Sequence, residues 1–174
     1  DNFPAFRFQD VNGGTVKNNS CADFTRDTGG NHNQSCVMLY GTQNVTIEHN
    51  QFSTSNSGVF FKDTASTANQ GGNIVRFNRF TTVGEAVVWS QVTAGSTETG
   101  NDIYQNVITG CEQAFGFIDG AQGSQNDDVF NNTVYDCSVS LFVFDNNDGT
   151  HSGIRLWNNI GLSTTRGIDV VSLT

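Results

Sequence analysis

Residues 44–61 read NVTIEHNQFSTSNSGVFF, from Asn44 to Phe61. Two short patterns sit inside this stretch. The first is apolar, any, any, Asn, any, apolar, at Ile47, Asn50 and Phe52. The second is a pair of apolar residues flanking a third, Val59 and Phe61, nine positions after the Asn. Working outward, the first pattern recurs at Val16–Asn19–Cys21, Val75–Asn78–Phe80, Ile103–Asn106–Ile108, Val129–Asn132–Val134 and Leu156–Asn159–Gly161, with Asn spacings of 31, 28, 28, 26 and 27. Asn158 could serve in place of Asn159. The second pattern recurs at Phe6/Phe8, Val37/Leu39, Val87/Trp89, Phe115/Phe117, Phe142/Phe144 and Ile168/Val170. Its distance from the Asn is nine or ten residues in the last five repeats, and 18 after Asn19, so an insertion lies there. A fixed period of this kind is the mark of a repeat architecture. Propeller blades of about 40 residues are too long for it.

Composition agrees. The 174 residues include 21 Asn and 19 Gly, a single Pro, and few helix formers, with Val, Thr, Phe and Ile common. Charged residues are only 14%, against roughly 25% in an average domain. Fourteen Phe, three Tyr and two Trp speak against disorder. No apolar run is long enough to span a membrane. Only eight basic residues face 17 acidic ones, for a net charge of −9, which argues against a nucleic-acid partner. Neither a signal peptide nor an initiator Met is visible, so the chain is expected to be a processed form or a piece of a longer protein.

The segments NVTIEHNQFSTSNSGVFF and DVFNNTVYDCSVSLFVF (128–144) resemble coils of the right-handed parallel β-helix of the pectate-lyase-like superfamily, and the resemblance covers essentially the whole chain. The expected fold is therefore all-β, a single solenoid domain over 1–174 with about seven coils and no evident end caps. Stacked coils close a core that no single coil can bury. At a coil spacing of about 4.8 Å, equivalent residues lie directly above one another. Asn19, Asn50, Asn78, Asn106, Asn132 and Asn159 are then read as a structural ladder, each amide bonded to those above and below, at a turn where Asn tolerates left-handed φ.

Alternation along the strand sends Phe6 and Phe8 inward. The same parity turns Met38, Phe60, Val88, Gly116 and Val143 outward, an apolar stripe that either loops of the chain or another subunit must cover. The ends form no helical cap, and uncapped strand edges recruit other chains. Stripe and ends are thus two routes to a homo-oligomer.

Four cysteines remain. Cys111 and Cys137 fall five residues past their ladder Asn and should stack within disulfide reach. Cys21 and Cys36 bracket the insertion. Both pairings fit an oxidising compartment, hence a secreted or cell-surface protein; buried free thiols are the alternative. The sequons at Asn18, Asn33, Asn44 and Asn131 are weak signals in so Asn-rich a chain.

Three groups could carry chemistry. Asp102 and Asp128 stack four residues before a ladder Asn, with Asn101 and Asp127 one position earlier and Asp119 across a turn. Close carboxylates must protonate or hold a cation, and calcium suits such oxygens, so Asp102, Asp127 and Asp128 are the candidate metal set, with solvated turn acids as the alternative. Asn126-Asp127-Asp128 resembles the acidic cluster of polygalacturonases, in which aspartates act as general acid and base. The Gly-His-Gly and Arg-x-Lys of that family are absent. Lyases of this fold use an Arg or Lys base, for which Lys62 is the candidate; Arg76 and Arg79 lie on other faces. Catalytic candidates are therefore Asp119, Asp127, Asp128 and Lys62. Third, Tyr104, Phe130 and Trp157 form an outward aromatic row that could stack on sugars or simply on itself. The resemblance implies a carbohydrate-active protein of lyase or glycoside hydrolase class, acting on or binding an acidic or neutral polysaccharide. The alternatives are a non-catalytic carbohydrate-binding or adhesin module, and a self-assembling structural β-helix.

Overall fold

The structure, a computed structural model, describes residues 3–24, 33–62, 70–90, 98–118, 124–145, 151–162 and 165–171. Among them every strand pairing is parallel and every pairing joins equivalent positions of successive coils. The chain is an all-β parallel solenoid.

Three main columns of strands build it, with a short row of Gln70–Gly71, Glu98–Thr99 and Ser124–Gln125 just ahead of the first. The first holds Asn12–Lys17, Gln43–Glu48, Ile74–Arg76, Asp102–Tyr104, Asp128–Phe130 and Arg155–Trp157. The second, just past each ladder asparagine, holds Ser20–Ala22, the starts of Gln51–Lys62 and Arg79–Ser90, then Val107–Thr109, Thr133–Tyr135 and Ile160–Leu162. The third holds Phe6–Gln9, Ser35–Tyr40, the ends of the same two long strands, then Gln113–Phe117, Ser140–Asp145 and Arg166–Val171. About five turns are formed, fewer than the seven expected. Seven strands stand in the third column but only six in each of the other main columns, so the sequence motifs counted an incomplete coil at each end.

Inward side chains explain why the coils hold. Val75, Ile103 and Val129 stack in the first column, Phe52, Phe80, Ile108 and Val134 in the second, and all are buried. In the third, Phe61, Trp89, Phe117 and Phe144 stack with centroids 4.8, 4.2 and 4.9 Å apart. Removing one such ring costs about 3–5 kcal/mol, because close neighbours above and below cannot collapse into the space. The outward stripe is also covered. Met38, Phe60 and Val88 are buried in a second cluster of the chain's own residues, with Tyr40 and Ile118 packed against it. These three side chains leave no apolar surface for a subunit.

Among the described residues three corner positions take a left-handed residue in coil after coil, and Asp10 and Gly41 mark a further one at the end of the third column. One corner uses Asn44, Gly72, Gly100, Asn126 and Gly153; another uses Asp23, Thr54, Thr82, Gly110 and Asp136. The third uses Asn18, His49, Phe77, Gln105, Asn131 and Asn158. The last row corrects the sequence reading. The left-handed residue is the one before the ladder asparagine, whose own φ stays negative. The amide must point inward to reach its neighbours, so the residue before it takes the turn and points out. At Gly72 a side chain would also press on Asn44 Oδ1, 2.8 Å from an added Cβ.

Inside that third corner runs the ladder. The side-chain Nδ2 of Asn19, Asn50, Asn78, Asn106 and Asn132 donates to Oδ1 of the next asparagine, ending at Asn159, over 3.0–3.1 Å. The backbone N–H of each donates to the same Oδ1. From Asn50 onward, Nδ2 also reaches back to a carbonyl of the preceding coil, such as Val16 O and Ile47 O. The buried amides are thereby satisfied, as burial demands. Disulfides join Cys21 to Cys36, with Cα atoms 5.9 Å apart, and Cys111 to Cys137, 4.4 Å apart.

Candidate functional site

Register brings the acidic candidates to one end of the first column, and alternation then divides them. Asp102 pairs with Asp128, and Asp128 with Arg155. Arg155 holds Asp128 bidentately, Nε and Nη2 each 2.5 Å from a carboxylate oxygen. Arg155 stands four residues before Asn159, the same coil position as Asp102 and Asp128. A search confined to acidic residues passes over it. Its guanidinium supplies the positive charge that a cation was expected to bring. Asp102 is held above the usual carboxylate range by its burial and then by Asp128, with Arg155 acting the other way.

Asp127 faces the interior, so it cannot share an ion with Asp128, which points outward. Its exposure is 0%. It continues a second ladder: Asn73 N and Nδ2 donate to Asn101 Oδ1, and Asn101 N and Nδ2 donate to Asp127 Oδ1 at 2.8 and 2.9 Å. Buried Glu98 accepts from Nδ2 of both Asn73 and Asn101. Asp127 Oδ2 stands where an amide nitrogen would be and has no hydrogen-bond partner. Burial pushes this carboxyl up to about 7, against the two Asn101 bonds, with Asp128 and Asp102 adding to the rise. Among the described residues no three acidic, His or Cys side chains are placed to hold a metal. Asp119 lies outside the described residues. Lys62 is far from the acids in coil position, on the outer side of the third column.

The aromatic candidates belong to a longer outward row on the first column: Lys17, Glu48, Arg76, Tyr104, Phe130 and Trp157, each in register with the next. Lys17 and Arg76 both clasp Glu48, at 2.7 and 2.8 Å. Their hydrogen bonds hold the Glu48 carboxyl below its usual range. Arg76 Nη1 donates to the Tyr104 hydroxyl at 2.8 Å. Tyr104, Phe130 and Trp157 then stack at 4.8 and 4.5 Å with planes within 11° and 6° of parallel. Rings stacked along the axis cover one another's faces and present edges outward. The interior of this row is therefore a stiffening element rather than a platform for sugars.

A more open feature lies one corner away. A cleft of about 400 Å³ runs between the third corner and the second column, lined by His49, Gln51, Phe77, Arg79, Gln105 and Val107 above the ladder residues Asn50 and Asn78. Phe77 is 40% exposed and stacks on His49 at 5.1 Å. It meets Tyr104 edge-on at 6.1 Å, which ties the cleft to the charged and aromatic row. Phe77 has φ 55°. A bulky side chain in that region costs about 1–2 kcal/mol, where Asn or Gly sits easily. Sequence reading could have found it, since Phe77 is the one apolar side chain in a corner row of four amides and a histidine. No protein-family model, curated protein or solved structure matches this chain.

Proposed function

We propose that the chain is an extracellular glycan-binding β-solenoid, non-catalytic, which takes a polysaccharide along the cleft around Phe77. One observation carries this reading. An exposed ring is kept in a strained backbone conformation, stacked on His49, and flanked by Gln51, Gln105 and Arg79. The corner itself is structural, but in this row the turn falls on a bulky apolar ring only at Phe77, where an amide would sit more easily. The exposed edge of a ring whose face rests on His49, with planar polar side chains around it, suits the C–H and hydroxyl rim of a sugar. The candidate catalytic groups fit a binding role better than a hydrolytic one, because Asp127 is sealed and Asp128 is neutralised by Arg155. The two disulfides support an oxidising compartment.

The test is affinity for a panel of neutral and acidic polysaccharides, followed by calorimetry on the best binder. Phe77→Asn and Arg79→Gln should each weaken binding at least tenfold, about 1.4 kcal/mol. Phe77→Asn should at the same time raise the folding stability by about 1 kcal/mol, since the strain is released. Trp157→Ala should leave affinity within about twofold, a change of about 0.4 kcal/mol. Binding that survives both cleft substitutions, or no binding across the panel, would overturn the proposal.

A second reading rests on the last described coil, where Ile160, Leu162 and Ile168 are 54–61% exposed. Such side chains suit a further coil stacked on this edge, including one from another copy. Light scattering across a concentration series tests it. A constant monomer mass would remove this reading.

A further inference from the structure

The outer side of the third column gathers two positive side chains that no negative one among the described residues answers. Arg7 lies one coil before Tyr40 and Lys62 one coil after it, since Gln9, Tyr40 and Lys62 are in register and Arg7 pairs with Met38. The Arg7 guanidinium carbon is 4.9 Å from the Tyr40 ring centroid. Lys62 Nζ is 5.8 Å from the same centroid and 5.7 Å from that of Phe60. Their hydrogen bonds are to neutral amides: Arg7 Nη2 donates to Gln9 Oε1 at 2.7 Å, and Lys62 Nζ to Asn33 Oδ1 at 3.0 Å. The ion pairs among the described residues join Lys17 and Arg76 to Glu48 and Arg155 to Asp128. Neither Arg7 nor Lys62 takes part in them, in a chain with 17 acidic residues and only eight basic ones. The same two cations line a cavity of about 140 Å³ whose remaining walls include Phe3, Pro4, Met38 and Tyr40. Desolvation, and then the charge of Arg7, hold the Lys62 ammonium below its ordinary range.

Like charges held on either side of Tyr40 beside apolar walls raise each other's cost, and an anion in the cavity that both line relieves both. From this convergence of two cations, held among the described residues by neutral amides, on one small, ring-lined cavity, we infer that the Arg7–Tyr40–Lys62 pocket binds a monocarboxylate with a short apolar body. The guanidinium fork matches a planar carboxylate, and the ammonium adds a second point of charge. Met38, Tyr40, Phe3 and Pro4 give the apolar body its contact. The volume admits a handful of heavy atoms, too few for a peptide side chain with its backbone. A net charge of −9 works against multiply charged anions. The pocket is separate from the cleft around Phe77 and stands or falls without it.

The probe is butyrate, with butyramide as its uncharged isostere and sulfate as the inorganic anion. Calorimetry should show butyrate binding and butyramide at least tenfold weaker. Arg7→Gln and Lys62→Met should each lower butyrate affinity at least tenfold. The wild-type protein offers an independent readout, because Lys17 and Lys62 are its only lysines. After reductive methylation, which keeps the charge, the two side chains titrate separately in carbon-13 spectra. Butyrate should raise the titration midpoint of Lys62 and leave that of Lys17 in place. Equal binding of butyrate and butyramide, or an unmoved Lys62 midpoint at saturating butyrate, would overturn the inference. Sulfate binding as tight as butyrate would overturn the carboxylate class and assign the pocket to inorganic anions.

Discussion

Replacing Asp127 by Asn tests how a carboxyl is carried inside an amide ladder. In the native fold Asp127 is fully buried, and its Oδ2 has no partner. Its proton is held up to about pH 7, against about 3.9 in an unfolded chain. The sign follows from proton counting. Between about pH 4 and pH 7 the folded state keeps a proton that the unfolded state has released. Stability from this group is therefore fully present near pH 4 and declines as pH rises, by about 1.4 kcal/mol per unit, until the folded group ionises. Over about three units the loss approaches about 4 kcal/mol, a ceiling that local relaxation lowers. The substituted amide carries no charge at any pH and presents an NH₂ where the acid presents an OH. In Asp127→Asn, stability at pH 4.5 should stay within about 1 kcal/mol of wild type, and at pH 7.5 it should exceed wild type by about 2–4 kcal/mol. A shallow slope of the same sign should persist, because Asp102 is also held above its usual range. Urea unfolding at pH 4.5, 6 and 7.5, with the disulfides intact, measures this directly. A variant curve parallel to that of wild type, or an equal loss at every pH, would refute a sealed, protonated Asp127.

Three further outcomes are expected. Asn78→Ala removes the acceptor of both Asn50 donors in the middle of the ladder and should cost about 3–5 kcal/mol in urea unfolding, several times the cost of Asn19→Ala at its edge. Gly153→Ala places a Cβ against Asn126 Oδ1 at φ 67° and should lower stability by about 1–3 kcal/mol, whereas Gly167→Ala, with open space around it, should change little. Replacing Cys21 and Cys36 together by Ser should cost at least about 3 kcal/mol under oxidising conditions, as expected for a closed loop of 15 residues, and less in the presence of a reductant, where only the burial of hydroxyls in place of thiols remains.

Much of this architecture can be read from spacing alone. The interval between Asn106 and Asn132 equals the offset that pairs Asp102 with Asp128 and Val107 with Thr133, so repeat length and strand register are one quantity. The cysteine separation of 26 is the same quantity again. What spacing hides is direction. Asp127 and Asp128 are neighbours in sequence, yet strand alternation puts one in the ladder and the other in Arg155's grip. Arg155 itself is legible only when the coil position is searched for all charges. The left-handed corner is displaced by one residue from the asparagine that marks it, so the exposed row of His49, Phe77 and Gln105 is found only after the inward role of the amide is understood. The Arg7 and Lys62 pocket depends on strands two coils apart, 55 positions in sequence, and no local pattern announces it.

The asparagine ladder is also one-way. From Asn50 to Asn159 every Oδ1 receives two donors from the coil before it, and the bonds between rungs all run in that one direction. Loss of Asn106 strands the backbone N–H of Asn78 and one hydrogen of its amide, whose other hydrogen stays on Ile47 O, while Asn132 still receives the Asn106 backbone N–H. Damage to a rung thus travels toward lower residue numbers and largely spares the coil beyond. The solenoid has a grain, and amide exchange in an Asn106 variant should rise on the Asn78 side of the lesion first.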